Sequence, residues 1–178
     1  MEAESKNLAQ VKGAVEAVDW QTVYHQLLPK VFHYFCYRVG DEALAEDLTA
    51  ATFEKAWRGR KRYKRKLGEF PKWVFGIAKH VAAGYFRSSR SEVPLDENTQ
   101  PSAAETVEET IQKNSDFKRL SLLLANLPPR DRELISLKYG AEMTNRAIAK
   151  LTGLSESNVG TILHRVVRQL REEWEQER

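Results

Sequence analysis

The sequence predicts an all-α protein in which two small helical domains are joined by a flexible linker. Apolar residues recur at helical spacing along most of the 178 residues, and the sequence has neither sustained period-two alternation nor an Asn-Gly hairpin turn. Positions 91 to 117 instead hold two prolines and seven acidic residues. We therefore expect a tail at 1–19, domains at 20–90 and 118–178, and an acidic linker at 91–117.

The charge is distributed in three blocks that the overall balance conceals. The chain has 28 Lys and Arg residues against 25 Asp and Glu residues, a net charge of +3. Residues 1–90 carry a net +6, residues 91–117 a net −6 and residues 118–178 a net +3. Because clustered cations attract a phosphate backbone, the two basic segments favour a nucleic-acid partner.

Composition excludes several classes of protein. A hydrophobic content of 42% is too high for wholesale disorder, and no apolar stretch approaches the roughly 20 residues that cross a bilayer. The N-terminal residues MEAESKNLAQVKG lack the apolar core of a signal peptide. The single cysteine, Cys36, cannot form an internal disulfide and favours a reducing compartment. We therefore expect a cytoplasmic protein without membrane insertion.

The segment GDEALAEDLTAATFEKAW predicts a helix that carries a polar stripe. Asp47, Glu54 and Arg58 fall at i, i+7 and i+11, a spacing that places them on one side of a helix. Such a stripe is typical of a solvated surface. A docking face for a protein partner is the alternative interpretation.

A basic and aromatic stretch follows this helix. Residues 58–66, RGRKRYKRK, hold seven basic residues in nine positions. Pro71 suits the first turn of the next helix, which carries Trp73, Lys79 and His80. Cations attract phosphates, and aromatic faces stack bases that have left a duplex. The alternative is that Trp73 belongs to the core and the lysines to a solubilising loop.

The C-terminal segment begins with two helices separated by prolines. Leucines at 120, 123, 124 and 127 repeat at helical spacing before Pro128 and Pro129 end the pattern. A new helix can start at Pro129 and run to Gly140, a plausible residue after a helix C-terminus.

The remaining residues have the spacing of a helix-turn-helix. Thr144 can cap a short helix at 145–152, Gly153 permits a turn, and Ser155 can cap a second helix that runs toward Trp174. Polar side chains that can reach base edges or phosphates lie at the start of this second helix and on the face opposite its apolar residues: Ser155, Ser157, Asn158, Thr161, Arg165 and Arg168. An ordinary helical hairpin with a solvated basic face is the alternative.

Few residues could support catalysis. His25, His33 and Cys36 lie near one another in sequence, but their apolar and aromatic neighbours favour core packing. The sequence contains no Gly-rich phosphate loop, HExxH motif or nucleophile elbow. We therefore expect no catalytic role, no metal site and no cofactor.

Two long motifs stand in order along the chain. The first is YHQLLPKVFHYFCYRVGDEALAEDLTAATFEKAW followed by FPKWVFGIAKHVAAGYFRSSR, and it resembles region two of a bacterial RNA polymerase sigma factor of the extracytoplasmic-function (ECF, group four) type. The second is LPPRDRELISLKYGAEMTNRAIAKLTGLSESNVGTILHRVVRQLRE, which resembles region four of the same family. Together they cover about residues 24–90 and 120–172.

This resemblance implies a sigma factor that directs promoter-specific transcription initiation, and it implies a role for each surface. The helix with the polar stripe would dock on the clamp coiled coil of the polymerase largest subunit, with Asp47 as the main contact and Glu46, Glu54 and Arg58 beside it. The basic loop and the following helix would melt and hold the promoter −10 element through Arg60, Lys61, Arg62, Tyr63, Lys64, Arg65, Lys66, Trp73, Lys79 and His80.

The resemblance assigns the C-terminal motif to the −35 element. The second helix of the helix-turn-helix would enter the major groove, and residues 130–139 would help to dock on the polymerase flap. An anti-sigma factor is a further partner that the family suggests.

The sequence departs from the family in both motifs. Ala50 and Ala51 stand where Gln-Glu is usual, which alters the docking face, and Gly160 and Ile162 replace a Lys and an Arg. Two phosphate contacts are thereby lost, and Gly160 costs about 1 kcal/mol of helix propensity. We expect weak, salt-sensitive DNA binding by the isolated C-terminal domain. A helix-turn-helix regulator that never joins polymerase is the alternative function.

Overall fold

The computed structural model of the chain describes residues 19–64, 69–89 and 107–176. Every regular element in these ranges is helical, which confirms the all-α prediction. The helices are α1 (Trp20–Val39), α2 (Glu42–Gly59), α3 (Phe70–Ser89), α4 (Val107–Ala125), α5 (Pro129–Ile135), α6 (Asn145–Thr152) and α7 (Glu156–Gln176). A 3-10 turn, Arg60–Arg62, follows α2, and a π-helical turn, Ser136–Gly140, follows α5.

Helices α1, α2 and α3 form the N-terminal domain, and local signals set where they begin and end. The Asp19 carboxylate accepts hydrogen bonds from the backbone N–H groups at 21 and 22, and Asp41 accepts from that of Leu44 at 2.7 Å. Gly40 ends α1 with a φ of 75°, a conformation that favours glycine. Between these caps, apolar side chains such as Phe35 and Phe75 are fully buried.

The C-terminal domain contains the helix-turn-helix at the predicted positions. Thr144 Oγ1 accepts a hydrogen bond from Ala147 N at 3.2 Å, and Ser155 Oγ accepts one from Asn158 N at 3.1 Å. Gly153 makes the turn with a φ of 77°. Ile148, Val159 and Val166 are completely buried between the helices, so α6 holds α7 at a fixed angle to the rest of the domain.

The segment that starts at Pro129 differs from the single helix predicted to Gly140. Helix α5 ends at Ile135, and the chain continues as a π-helical turn in which Ala141 N donates to Ser136 O at 2.9 Å. Gly140 then lies directly against α1, where a Cβ atom would be 2.7 Å from His33 O. The turn therefore brings the backbones of the two domains into contact, a long-range constraint that local spacing does not encode.

The two domains share one continuous core. Besides the Gly140 contact, Arg132 Nε donates to Tyr37 O at 3.1 Å, and Lys30 Nζ lies 3.0 Å from Glu142 Oε2. Burial lowers the pKa of the Arg132 guanidinium to about 10. Helix α4 begins at residue 107, so the last part of the predicted linker is helical. Residues 91–106 lie outside the described part of the chain.

The described residues include no helix that is both long and apolar enough to cross a membrane. Cys36 is buried, as expected, and burial raises the pKa of its thiol to about 12. His25 and His33 both lie exposed on α1, contrary to the expected core packing.

Candidate functional site

The polar stripe of α2 lies on an exposed face of the N-terminal domain. Glu46 and Asp47 are exposed, and Glu54 Oε1 lies 2.5 Å from Arg58 Nη2 one helical turn later. Within the described part of the chain, no side chain pairs with Asp47. The stripe therefore presents the exposed carboxylates of Glu46 and Asp47 beside a neutralised ion pair, which suits docking on a basic protein surface.

Five rings form an aromatic cluster at the end of this domain: Trp20, Trp57, Tyr63, Phe70 and Trp73. Trp20 links Trp57 to the other rings, with ring centroids 5.6 Å from Trp57, 5.0 Å from Phe70 and 6.2 Å from Trp73. Tyr63 packs 5.4 Å from Trp73. Sequence reasoning missed Trp20, because nothing local connects it with rings that lie about 50 residues away. Trp73 is half-buried, so it contributes to packing and also presents an edge at the surface.

The basic loop beside the aromatic cluster is only partly available to a phosphate backbone. Lys61, Arg62 and Lys64 are exposed. Arg60 instead lies over the Trp57 ring at 3.8 Å and donates from Nη1 to Trp57 O at 2.8 Å, where it complements the C-terminal end of α2. The predicted contacts Arg65 and Lys66 lie outside the described residues.

Two of the predicted −10 contacts on α3 share a face and the third does not. His80 is exposed and lies two turns after Trp73, on the same side of the helix. Lys79 points toward the C-terminal domain, where its Nζ lies 3.2 Å from Glu133 Oε1 and 3.5 Å from Leu151 O. The structure therefore separates Lys79 from the other candidates.

The first two turns of α7 present the candidate base-reading side chains. Asn158 and Thr161 are exposed. Thr161 Oγ1 donates to Ser157 O at 3.0 Å, and Ser155 accepts the capping hydrogen bond described above. The amide of Asn158 therefore has the most freedom to bond a base edge, while the hydroxyls of Ser155 and Thr161 have one bond already in use.

Arginines follow on the same side of α7. Arg165 Nη2 lies 2.6 Å from the buried carboxylate of Asp131, on α5. Arg168 Nε lies 3.7 Å from Glu172 Oε1 in an exposed pair. Sequence reasoning missed Asp131, which is 34 residues from its partner. It also left out Arg146 and Lys150, exposed cations on α6, although their spacing of one turn was a usable signal.

An apolar groove lies on the other side of α7. Its volume is about 280 Å³, and its walls come from α1, α4, α5, the π-helical turn and α7, including Tyr37, Leu123, Tyr139, Leu170 and Trp174. Tyr139 is 49% exposed at the rim. The groove is therefore a surface on which an apolar side chain of a partner can be buried.

Among the described residues, no group of three or more His, Cys, Asp or Glu side chains is placed to hold a metal ion. What the described surfaces do combine is a free carboxylate stripe, a basic loop beside stacked rings, and a helix-turn-helix with an exposed polar face. This combination is typical of helical DNA-binding proteins of the transcription machinery.

Comparisons with known proteins agree with that class. The family described as Sigma-70 region 2 matches residues 23–92, and the family described as Sigma-70, region 4 matches residues 117–170. The ECF RNA polymerase sigma factor ShbA of Streptomyces griseus is 31% identical over 132 residues, covering 71% of this chain and 69% of ShbA. The chain therefore belongs to the ECF family of RNA polymerase sigma factors, which direct promoter-specific transcription.

One further relative and one solved structure show how far the similarity extends. BldN, an ECF RNA polymerase sigma factor of Streptomyces coelicolor, is 29% identical over 88% of this chain, which spans only 61% of BldN. The sigma factor RpoE, in a co-crystal structure with the anti-sigma factor NepR from Bartonella quintana, matches with a TM-score of 0.68 and 18% identity, covering 90% of this chain and 99% of RpoE. This structural likeness supports the fold.

Proposed function

We propose that this chain binds core RNA polymerase through the α2 stripe and recognises promoters at two elements, −10 and −35. The observation that carries the proposal is the exposed polar face of α7, with Asn158 and Thr161 exposed in its first two turns, in a chain that also has an aromatic cluster beside exposed cations. A regulator that only binds duplex DNA has no use for the second feature, because stacked bases are recognised on single strands.

Polymerase docking is assigned to Asp47, with Glu46, Glu54 and Arg58 as its neighbours. The support is the free carboxylate of Asp47 beside the exposed Glu54–Arg58 ion pair. The largest-subunit clamp coiled coil is the partner that the family suggests. Ala50 and Ala51 keep the surface around Asp47 flat, so the carboxylate has to supply most of the polar recognition.

The −10 element is assigned to the loop after α2 and to the exposed face of α3. Lys61, Arg62 and Lys64 attract the backbone, and the partly exposed rings of Tyr63 and Trp73 contact an unpaired base. His80 extends this face by two turns. The protein itself performs no covalent chemistry in this proposal, and nucleotide addition belongs to polymerase. The proposed site of action is the cytoplasm.

The apolar groove is assigned to the polymerase flap. The support is that Tyr139, at the end of the segment that resembles the flap-docking helix of the family, forms its rim. Tyr139→Glu should lower −35-dependent transcription while the chain still associates with core polymerase through the α2 stripe. Leu122→Glu is the matched control, because Leu122 is 69% exposed and does not line the groove. Equal effects of the two changes would remove the groove from the proposal.

The proposed function is tested by transcription in vitro. Core RNA polymerase is combined with the full chain on a library of genomic fragments, and the 5′ ends of the transcripts are mapped. Initiation at fragments that share two spaced elements is the expected result. Asp47→Ala should abolish association with core polymerase, whereas Glu42→Gln, five residues earlier and outside the stripe of Asp47, Glu54 and Arg58, should not. If Asp47→Ala leaves association unchanged, the chain is instead a regulator that does not join polymerase.

The proposal also includes an anti-sigma factor as a protein partner. RpoE is described in complex with the anti-sigma factor NepR, and this chain matches the fold of RpoE. Co-purification of a specific protein with the tagged chain, and its release when transcription is induced, would support the proposal. Recovery of core polymerase alone under both conditions would count against it.

A further inference from the structure

A buried acidic group on α5 lies next to the proposed DNA-facing side of the helix-turn-helix. The carboxylate of Asp131, on α5, lies 2.6 Å from Arg165 Nη2, on α7. Asp131 is only 7% exposed, whereas the side chain of Arg165 is 59% exposed. A negative charge at this position repels a polyanion, so on electrostatic grounds alone it weakens DNA binding.

The geometry of the pair indicates what the carboxylate contributes. Arg165 lies one turn after Thr161 and one turn before Arg168, between the base-reading and phosphate-facing parts of α7. A guanidinium has five N–H donors in a planar fork. Asp131 engages one amino group and leaves the remaining donors of Arg165 facing solvent. A side chain that is held in this way loses less conformational freedom when it binds a phosphate.

The pair is not needed to hold α5 against α7. Leu134 and Ile135 of α5 are almost completely buried, and so is Val166 of α7. Apolar packing therefore already fixes the two helices. The ion pair adds an orientation for one exposed side chain, and that side chain is on the helix that faces DNA.

We propose that Asp131 is a positioning residue for −35 recognition: it aims the Arg165 guanidinium at one backbone phosphate when α7 occupies the major groove. The inference rests on the proposed function, since it assumes that α7 reads the −35 element. A fixed phosphate contact sets the register of the helix on its site. Asp131 therefore raises discrimination between promoter and other DNA while lowering affinity for DNA in general.

The test uses full-length protein assembled with core polymerase. Duplex promoter fragments recovered from the transcription experiment are compared with the same fragments carrying a scrambled −35 element, at several salt concentrations. Asp131→Asn should lower the ratio of the two affinities about tenfold, and it should leave binding to the scrambled fragment equal or tighter. The slope of log K against log salt concentration for promoter binding should decrease by about 1, which corresponds to the loss of one phosphate contact. If Asp131 had a purely structural role, Asp131→Asn would change the affinities for both fragments by the same factor.

Two further variants test whether Asp131 acts on DNA discrimination through Arg165. Arg165→Lys keeps the charge and loses the planar fork, so it should also lower discrimination. In an Arg165→Ala background, Asp131→Asn should have no further effect on the ratio. Glu172→Gln is the matched control, because it removes the same charge from the exposed pair with Arg168, and it should change the ratio less than twofold.

The outcomes separate this inference from the proposed function. If the unchanged protein fails to distinguish the two fragments, the proposed −35 function is wrong. If the unchanged protein distinguishes the two fragments and the Asp131→Asn variant distinguishes them equally well, Asp131 does not position Arg165. An equal loss from Asp131→Asn with and without Arg165 would also overturn the inference, because it would place the effect elsewhere.

Discussion

Gly140 is the position where the packing of the two domains can be tested most sharply. A Cβ atom added there would lie 2.7 Å from His33 O, 2.8 Å from Tyr34 Cα and 2.9 Å from His33 C. All three are backbone atoms of α1, so no change of rotamer relieves the contacts. Restoring a normal separation of about 3.5 Å requires the π-helical turn to move away from α1 by nearly 1 Å.

The expected cost of Gly140→Ala follows from this geometry. Overpacking a dense core costs about 1–3 kcal/mol, and rigid neighbours place this site near the upper value. For a chain of this size, about 3 kcal/mol corresponds to a fall in Tm of about 6–12 °C. Thermal and urea unfolding followed by far-UV circular dichroism measure the effect. Small-angle scattering then shows whether the radius of gyration increases, as it must if the domains separate.

Gly84→Ala is the matched control for this experiment. Gly84 lies inside α3, and a Cβ atom there would meet nothing within 4 Å. Alanine in a helix interior gains up to about 1 kcal/mol over glycine, so the same substitution should raise Tm. If Gly140→Ala leaves Tm unchanged or raises it as well, then Gly140 does not pack against α1, and the conclusion that the two domains share one core is wrong.

Three other predictions concern single side chains. Because burial raises the pKa of Cys36 to about 12, the folded state holds that proton more tightly. The free energy of unfolding should therefore fall as pH rises above 9, by at most about 1.4 kcal/mol per pH unit from this thiol, and Cys36→Ala should reduce the slope in urea titrations without removing it, because burial also raises the pKa of Tyr34 and Tyr37. Glu133→Gln should free Lys79 and tighten binding of the free chain to fluorescein-labelled single-stranded DNA in a salt-dependent way, whereas Glu142→Gln should not; equal binding by both variants would contradict this. Trp20→Ala should cost about 3 kcal/mol in urea unfolding, and a loss under 1 kcal/mol would show that Trp20 is not central to the aromatic cluster.

The helix-turn-helix could be predicted closely from the sequence because its signals are local. Thr144 and Ser155 each lie directly before the first turn of the helix that they cap. Gly153 makes the turn between the two helices. Such signals act within four residues, so they depend little on the rest of the fold. The same reasoning placed Pro129 at the start of α5.

Features that depend on distant residues could not be predicted. The π-helical turn at 136–140 exists where Gly140 meets α1, more than 100 residues earlier, and a sequence pattern read as one regular helix cannot contain that contact. Lys79 is a different case. It lies six residues after Trp73, which is not a helical repeat, so its separation from the other −10 candidates was available from spacing and was missed.

The basic residues of the chain are not all available to DNA, because the fold pairs some of them with other groups of the protein. The N-terminal segment has a net charge of +6, yet Arg60 is engaged with Trp57 and Lys79 with Glu133. Each engaged cation must exchange a protein partner for a phosphate before it contributes to DNA binding. The salt dependence of binding counts only the phosphates that are neutralised. We therefore expect the slope of log K for DNA binding against log salt concentration to be smaller than the number of basic residues in the segment, because some of them are paired within the fold. The exposed cations of the basic loop set the value of this slope.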